Sequence, residues 1–287
     1  MKYSRISIGG ISMFYRECGS SEKPVMLLLH GFPSASHQFR NLMPRLEANF
    51  HCIAPDYPGF GQSDAPGRES FTYSFDSLSL YVEKLIDALG IGKFYMYVLD
   101  YGAPVGFRIA LRRPQSILGI VSQNGNVYEE GLGKKWEKRR EYWEKRREYW
   151  EHPDEEMRKF FESAFAPETI IGQYTAGEKE GSIAPDGYSL DIYYSKSDGY
   201  AERQNDLILD YRSNVALYPE FQKYLREWKP RLLACWGRND PSFIWAGAEA
   251  FLRDDPNARA VPLDGGHFVL ESHDREIADL IRGFFAE

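Results

Sequence analysis

Three residues have the types and the order to carry out a two-step hydrolysis: Asp100, Asp240 and His267. A carboxylate is already ionised at neutral pH, so it can attack a saturated carbon without a base and form an ester. An imidazole oriented by a second carboxylate can then take a proton from water, and that water cleaves the ester. Asp100 stands in Val98-Leu99-Asp100-Tyr101-Gly102, between a strand-like run and a helical pattern. This is the setting of a nucleophile elbow, where a tight turn lifts one side chain above a sheet and needs small residues beside it, as Gly102 and Ala103 are. Asp240 follows the apolar run Arg231–Trp236, and His267 follows Ala258–Leu263 in Asp264-Gly265-Gly266-His267. Open α/β sheets place their ligands at such strand ends. Asp240 also precedes Pro241, the pattern of a helix N-cap, and that reading stays open. The look-alike Gly61-Gln62-Ser63-Asp64-Ala65 has no helical pattern behind it, so Ser63 is not expected to be a nucleophile. His30 abuts the third strand, and His273 sits where a helix cap would fall.

The elements that must position these residues alternate. Residues 3–18 read as a hairpin turning at Gly9-Gly10. Val25–Leu29, Phe50–Pro55, Phe94–Leu99 and Ile117–Val121 read as strands, joined later by Arg231–Trp236 and Ala258–Leu263. Leu78–Leu89, Ala103–Arg113 and Ile277–Phe285 have helical spacing. The expectation is an α/β fold, a mostly parallel eight-stranded sheet flanked by helices with an antiparallel start. The alternation breaks between about 127 and 228, where helical, aromatic-rich sequence shows no clear strand. The chain therefore divides into core residues 1–126, an inserted helical cap at 127–228, and core residues 229–287. Within the cap the heptad EKRREYW occurs twice in succession, at 137–143 and 144–150. Seven residues lengthen a helix by roughly 10 Å and rotate it by only about 20°, so Trp136, Trp143 and Trp150 share one stripe. With eight Lys/Arg and five Asp/Glu over 134–151, this stretch has a local balance of +3. It reads as a solvated helix whose aromatics face the core, or as a basic face for a membrane or a partner.

Composition narrows the remaining classes. The 287 residues are 43% hydrophobic and 15% aromatic, enough for a substantial core. With 35 basic and 42 acidic residues the net charge is −7, which argues against non-specific nucleic-acid binding. Cys18, Cys52 and Cys235 are odd in number and widely spaced, which points to free thiols in a reducing compartment. The N-terminal stretch alternates polar and apolar residues, and the longest apolar run near it, Val25–Leu29, is too short to span a bilayer. A soluble cytoplasmic enzyme is expected, a monomer or homodimer. It is expected to bind neither membrane nor nucleic acid, and no metal or organic cofactor is expected, because no HExxH, GxGxxG or Walker pattern occurs.

At this point the chain resembles the α/β-hydrolase superfamily, in its aspartate-nucleophile branch of epoxide hydrolases and haloalkane dehalogenases. The resemblance runs through His30-Gly31-Phe32-Pro33, the segment Ala54–Asp64, the Asp100 elbow, the inserted cap and the Gly265-Gly266-His267 loop. It implies that backbone N–H groups of Phe32 and Tyr101 form an oxyanion hole, with Asp100 as nucleophile, His267 as base and Asp240 as its acid. Asp210-Tyr211-Arg212 resembles the motif whose tyrosine protonates an epoxide oxygen; Tyr142 or Tyr149 would supply a second tyrosine. Asn124 and Asn126, at the end of the sixth strand, are spare polar groups placed to line a pocket for a small apolar substrate. Val98 resembles the dehalogenase elbow, whereas Tyr101 stands where both subfamilies normally carry tryptophan. The leading expectation is an epoxide hydrolase producing a vicinal diol. The alternatives are a haloalkane dehalogenase, and a non-catalytic α/β-hydrolase fold that binds a ligand.

Overall fold

Val25–Leu29 (β3) is apolar at every position, which suits a strand covered on both faces, and four of its five residues are fully buried. In the computed structural model, which describes residues 1–141, 143 and 163–286, β3 lies at the centre of an eight-stranded sheet. The other strands are β1 (Lys2–Ile8), β2 (Ile11–Cys18), β4 (His51–Pro55), β5 (Phe94–Leu99), β6 (Ile117–Gln123), β7 (Leu232–Gly237) and β8 (Ala258–Leu263). Their order is β1-β2-β4-β3-β5-β6-β7-β8. β1 and β2 form an antiparallel hairpin through Gly9 and Gly10, both at positive φ, and β2 meets β4 antiparallel. Every later pairing is parallel. The expected mixed sheet is therefore present, with each strand within a few residues of its predicted bounds.

Helices α1 (Leu42–Leu46), α2 (Phe75–Ala88) and α3 (Gly102–Arg112) fill the crossovers of the first half. α2 starts three residues before the predicted Leu78, because the Ser74 hydroxyl accepts the Ser77 N–H at 3.1 Å and caps it. Between β6 and β7 the described residues contribute no strand to the sheet. They form a helical stretch at 135–141, then α4 (Pro167–Thr175), α5 (Pro185–Ser195) and the 29-residue α6 (Tyr200–Trp228). α7 (Ala246–Asp254) and α8 (Leu270–Ala286) complete the chain. α8 begins seven residues before the expected Ile277, with a kink where His273 leaves helical geometry (φ −123°).

α6 is fixed to the core by polar bonds. Arg108 of α3 donates to Asn214 Oδ1 at 2.6 Å and to Ser213 Oγ at 2.9 Å, and Asp210 accepts the Phe75 N–H at 2.8 Å. No described helix is long and apolar enough to cross a membrane. All three cysteines are buried free thiols.

Candidate active site

The elbow is built by sterics. Asp100 has φ +49°, a left-handed conformation that only over-determined packing maintains. A Cβ on Gly102 would lie 2.0 Å from the Leu29 carbonyl oxygen, and one on Gly31 would lie 2.3 Å from Asp100 Cβ. Both glycines are thus required by close approach of β3 and its loop to the turn. The result aims the Asp100 carboxylate at two partners. Oδ1 accepts the Phe32 N–H at 2.8 Å, and Oδ2 lies 3.4 Å from His267 Nε2. The Phe32 loop is itself held by His30, whose Nδ1–H donates to Gly31 O at 3.0 Å while Nε2 accepts the Tyr57 N–H at 3.3 Å. Burial pushes the His30 pKa down to about 4, so the ring is neutral and can keep both bonds.

On its other side His267 donates from Nδ1 to Asp240 Oδ2 at 2.6 Å. Asp240 is 2% exposed and has every oxygen engaged: Oδ1 takes the Ser242 N–H at 2.7 Å, and Oδ2 also takes Asn124 Nδ2 at 2.9 Å. No helix starts at Pro241; α7 begins at Ala246. Asp240 therefore closes a short turn and faces the histidine, and is not a helix cap. Burial alone would lower the His267 pKa, but the charges and hydrogen bonds of Asp240 and Asp100 outweigh it and raise it to about 10.

The structure relocates several residues. Asn124 is not spare: besides Asp240 it accepts the Gly237 N–H at 2.9 Å, and it sits at φ +47° at the end of β6. It locks the acid's loop instead of offering a free amide to a ligand. Asn126 is also occupied, donating to Tyr128 O at 2.7 Å and reaching the Tyr218 hydroxyl at 3.4 Å. Tyr149 and Tyr142 lie outside the described residues. Tyr101 caps α3 with its ring 5.6 Å from that of Phe32, and its hydroxyl is buried without a partner. Tyr211, on α6, packs 6.0 Å from Tyr101 and 5.5 Å from Phe75. The Trp136 ring packs against it, tilted, at 4.4 Å, with Trp143 6.1 Å from Trp136, so these two heptad-stripe aromatics face the core.

Two residues escaped the sequence reading. The Tyr211 hydroxyl is 3.3 Å from that of Tyr218, a second buried tyrosine two helical turns along α6. The seven-residue spacing that unites them was visible and would have found it. Burial, then Tyr218 and the Asp100 charge, holds the Tyr211 pKa well above that of a free phenol, so the pair stays neutral. The other residue is Glu178, after α4. It accepts the Gly266 N–H and the Ser272 hydroxyl, both at 2.7 Å, and so grips the loop that carries His267. Nothing in the local sequence marks it. Glu178→Ala should cost about 1–3 kcal/mol by leaving the buried Gly266 N–H unpaired, and Glu178→Gln less, because an amide oxygen can still accept it. Urea unfolding midpoints of the two variants check this order.

Comparison with known proteins identifies the fold family. The family model of the α/β hydrolase fold matches residues 24–274. An uncharacterized hydrolase of Saccharomyces cerevisiae is 45% identical over 97% of this chain and 94% of its own length. A haloalkane dehalogenase of Bradyrhizobium diazoefficiens is 40% identical over 41% of this chain and 37% of its own. Epoxide hydrolase 4 of Mus musculus is 32% identical over 42% of this chain and 34% of its own. Among solved structures, a haloalkane dehalogenase from Bradyrhizobium elkani superposes with a TM-score of 0.79 over 99% of each chain, at 24% identity, a likeness of fold.

Proposed function

The chain belongs to the α/β-hydrolase fold family and is a hydrolase, and from that premise we propose that it opens epoxides to vicinal diols through an ester on Asp100. The observation that carries this reading is the bonded phenol pair, Tyr211 and Tyr218, packed beside the elbow. Opening an epoxide leaves an oxygen on the substrate that needs a proton, and a neutral buried phenol is a donor suited to it. In this reading the segment 127–228 serves as the lid, whose helix α6 brings the donor to the nucleophile among the rings of Trp136, Phe75 and Phe243.

In the first step an Asp100 oxygen attacks an epoxide carbon, the ring C–O bond breaks, and Tyr211 gives its proton to the leaving oxygen. Esterification removes the negative charge that stood 3.4 Å from His267 Nε2. The raised pKa of His267 depends in part on that charge, so it falls, and the imidazolium proton passes to the tyrosinate. The ester thereby produces the neutral base that its own hydrolysis requires. His267 next takes a proton from water, and the hydroxide adds to the Asp100 carbonyl carbon. The tetrahedral oxyanion is held by the N–H groups of Phe32 and Tyr101, each worth about 3 kcal/mol in such sites. Collapse expels the diol oxygen, which takes the carboxyl proton, and Asp100 and imidazolium His267 are restored.

A second reading, dehalogenation of an alkyl halide, is favoured by one feature. The indole N–H of Trp136, beside Tyr211, is buried without a partner, and a departing halide needs such donors. Tyr211→Phe separates the two. On an epoxide, kcat/KM should fall by roughly 10²-fold, the usual size of a lost general acid. Bromide release from a bromoalkane should be nearly indifferent to the change. Turnover of the bromoalkane alone by the unmodified protein would replace the first reading with the second.

A further inference from the structure

Gln204 is fully buried, and neither its amide nitrogen nor its amide oxygen has a hydrogen-bond partner. A wholly unpaired carboxamide is costly in an apolar wall, where leucine or methionine would pack without penalty. Its place in the fold says where it faces. Gln204 precedes Tyr211 by seven residues on α6, so the two lie within about 20° of one another around the helix. Tyr200, four residues before it, lies within about 40° on the same stripe. The two tyrosines are the ends of a chain of ring contacts across the elbow: Tyr200 to Phe165 at 5.7 Å, Phe165 to Phe32 at 5.8 Å, Phe32 to Tyr101 at 5.6 Å, and Tyr101 to Tyr211 at 6.0 Å. α6 closes this circuit from Tyr211 back to Tyr200, whose hydroxyl reaches Pro33 O. Gln204 stands on that closing side, buried on the stripe of α6 that carries Tyr200 and Tyr211 to the rings around the elbow.

We propose that Gln204 is a substrate-recognition residue, whose carboxamide bonds a hydroxyl or carbonyl group carried at the far end of the epoxide substrate. Seven residues of helix span roughly 10 Å, which sets the distance between that group and the oxygen facing Tyr211. The substrate class is then a medium-chain epoxide with a distal oxygen function, not a plain hydrocarbon oxide. This deepens the epoxide-hydrolase reading and rests on it for the identity of the reacting group. The carboxamide itself asks only for a donor and an acceptor.

The test compares 8-hydroxy-1,2-epoxyoctane with 1,2-epoxyoctane. The unmodified protein should favour the hydroxylated compound in kcat/KM by about tenfold, the worth of one well-placed neutral hydrogen bond in a dry site. Gln204→Leu should abolish that preference, bringing the ratio of the two kcat/KM values to about one, and Gln204→Met serves as a second apolar variant should leucine unfold the protein. A preference that survives both variants, or is absent from the unmodified protein because water satisfies the amide, overturns the proposal. A binding arm needs no chemistry: calorimetric titration with 1,2,8-octanetriol and with 1,2-octanediol. Tighter binding of the triol, lost in Gln204→Leu, upholds the subsite even if no epoxide is turned over, in which case the epoxide reading alone falls. Equal binding of the two overturns the subsite.

Discussion

With His267 replaced by glutamine, the protein should stop halfway and keep its substrate as an ester on Asp100. Glutamine retains a polar side chain beside Asp240 but cannot take a proton from water, so the first step proceeds and the second does not. Turnover should fall by roughly 10³–10⁴-fold. Intact-protein mass spectrometry after incubation with an aromatic epoxide should show a gain equal to the whole epoxide, because the opened oxygen stays on the adduct. A bromoalkane would instead leave only its alkyl group. The adduct should be missing when Asp100→Asn is added to His267→Gln, since the amide is a poor nucleophile and an amide N–H would face the Phe32 N–H, which now donates to Oδ1 at 2.8 Å. Failure to find either adduct, beside an unmodified protein inert to both compounds, would remove the ester mechanism while leaving the elbow geometry as it is.

What could be read in the sequence was what is local. Asp100 was legible because strand, tight turn and helix follow one another within a dozen residues, and the glycines that permit the turn are its neighbours. Asp240 and His267 were legible for a similar reason, since each directly follows an apolar strand. The eight-stranded sheet was recoverable from alternation alone. What was missed depends on contacts between distant parts of the chain. Asn124 was read as a spare pocket group because its partner, Asp240, is 116 residues away, and Glu178 was not seen because Gly266 is 88 residues away. The α8 start was placed late because the first turn, up to the kink at His273, is held by its loop contacts and not by an amphipathic period. Tyr218 is the exception, since its seven-residue spacing from Tyr211 on one helix is legible in the sequence itself.

These long-range bonds bear on chemistry as much as on stability. His267 has one carboxylate in front, which the proposed ester formation would neutralise, and one behind, which it would not. In that mechanism the front carboxylate lets the imidazole release its proton when the ester forms, and the rear one fixes its tautomer throughout. Asn124, Ser242 and Glu178 keep the rear side still while the front changes. The segment between β6 and β7 accordingly supplies both the bonded phenol pair on α6 and the grip on the histidine loop.

Asp240→Asn should therefore be nearly as damaging as loss of the base itself. Oδ2 of Asp240 receives two donors, His267 Nδ1 and Asn124 Nδ2, and Oδ1 receives a third from Ser242 N. A carboxamide has one oxygen, so whichever way it turns, an N–H group confronts another N–H group in a buried site. Either the histidine is released to the wrong tautomer or the Ser242 turn opens. Ester hydrolysis should slow by about 10³–10⁴-fold, the scale seen when a triad acid loses its charge, while ester formation falls far less. The pH dependence of stability gives an independent check. In the folded protein His267 has a pKa of about 10 against 6.5 for the free side chain, so its pairing contributes fully below pH 6.5 and is lost as pH rises through 10. Removing the Asp240 charge brings the folded value back toward 6.5. The variant's deficit in urea stability should thus be largest near pH 6 and should shrink steadily toward pH 10. A deficit that does not vary with pH would mean that Asp240 holds its loop by hydrogen bonding alone and places no charge on the histidine.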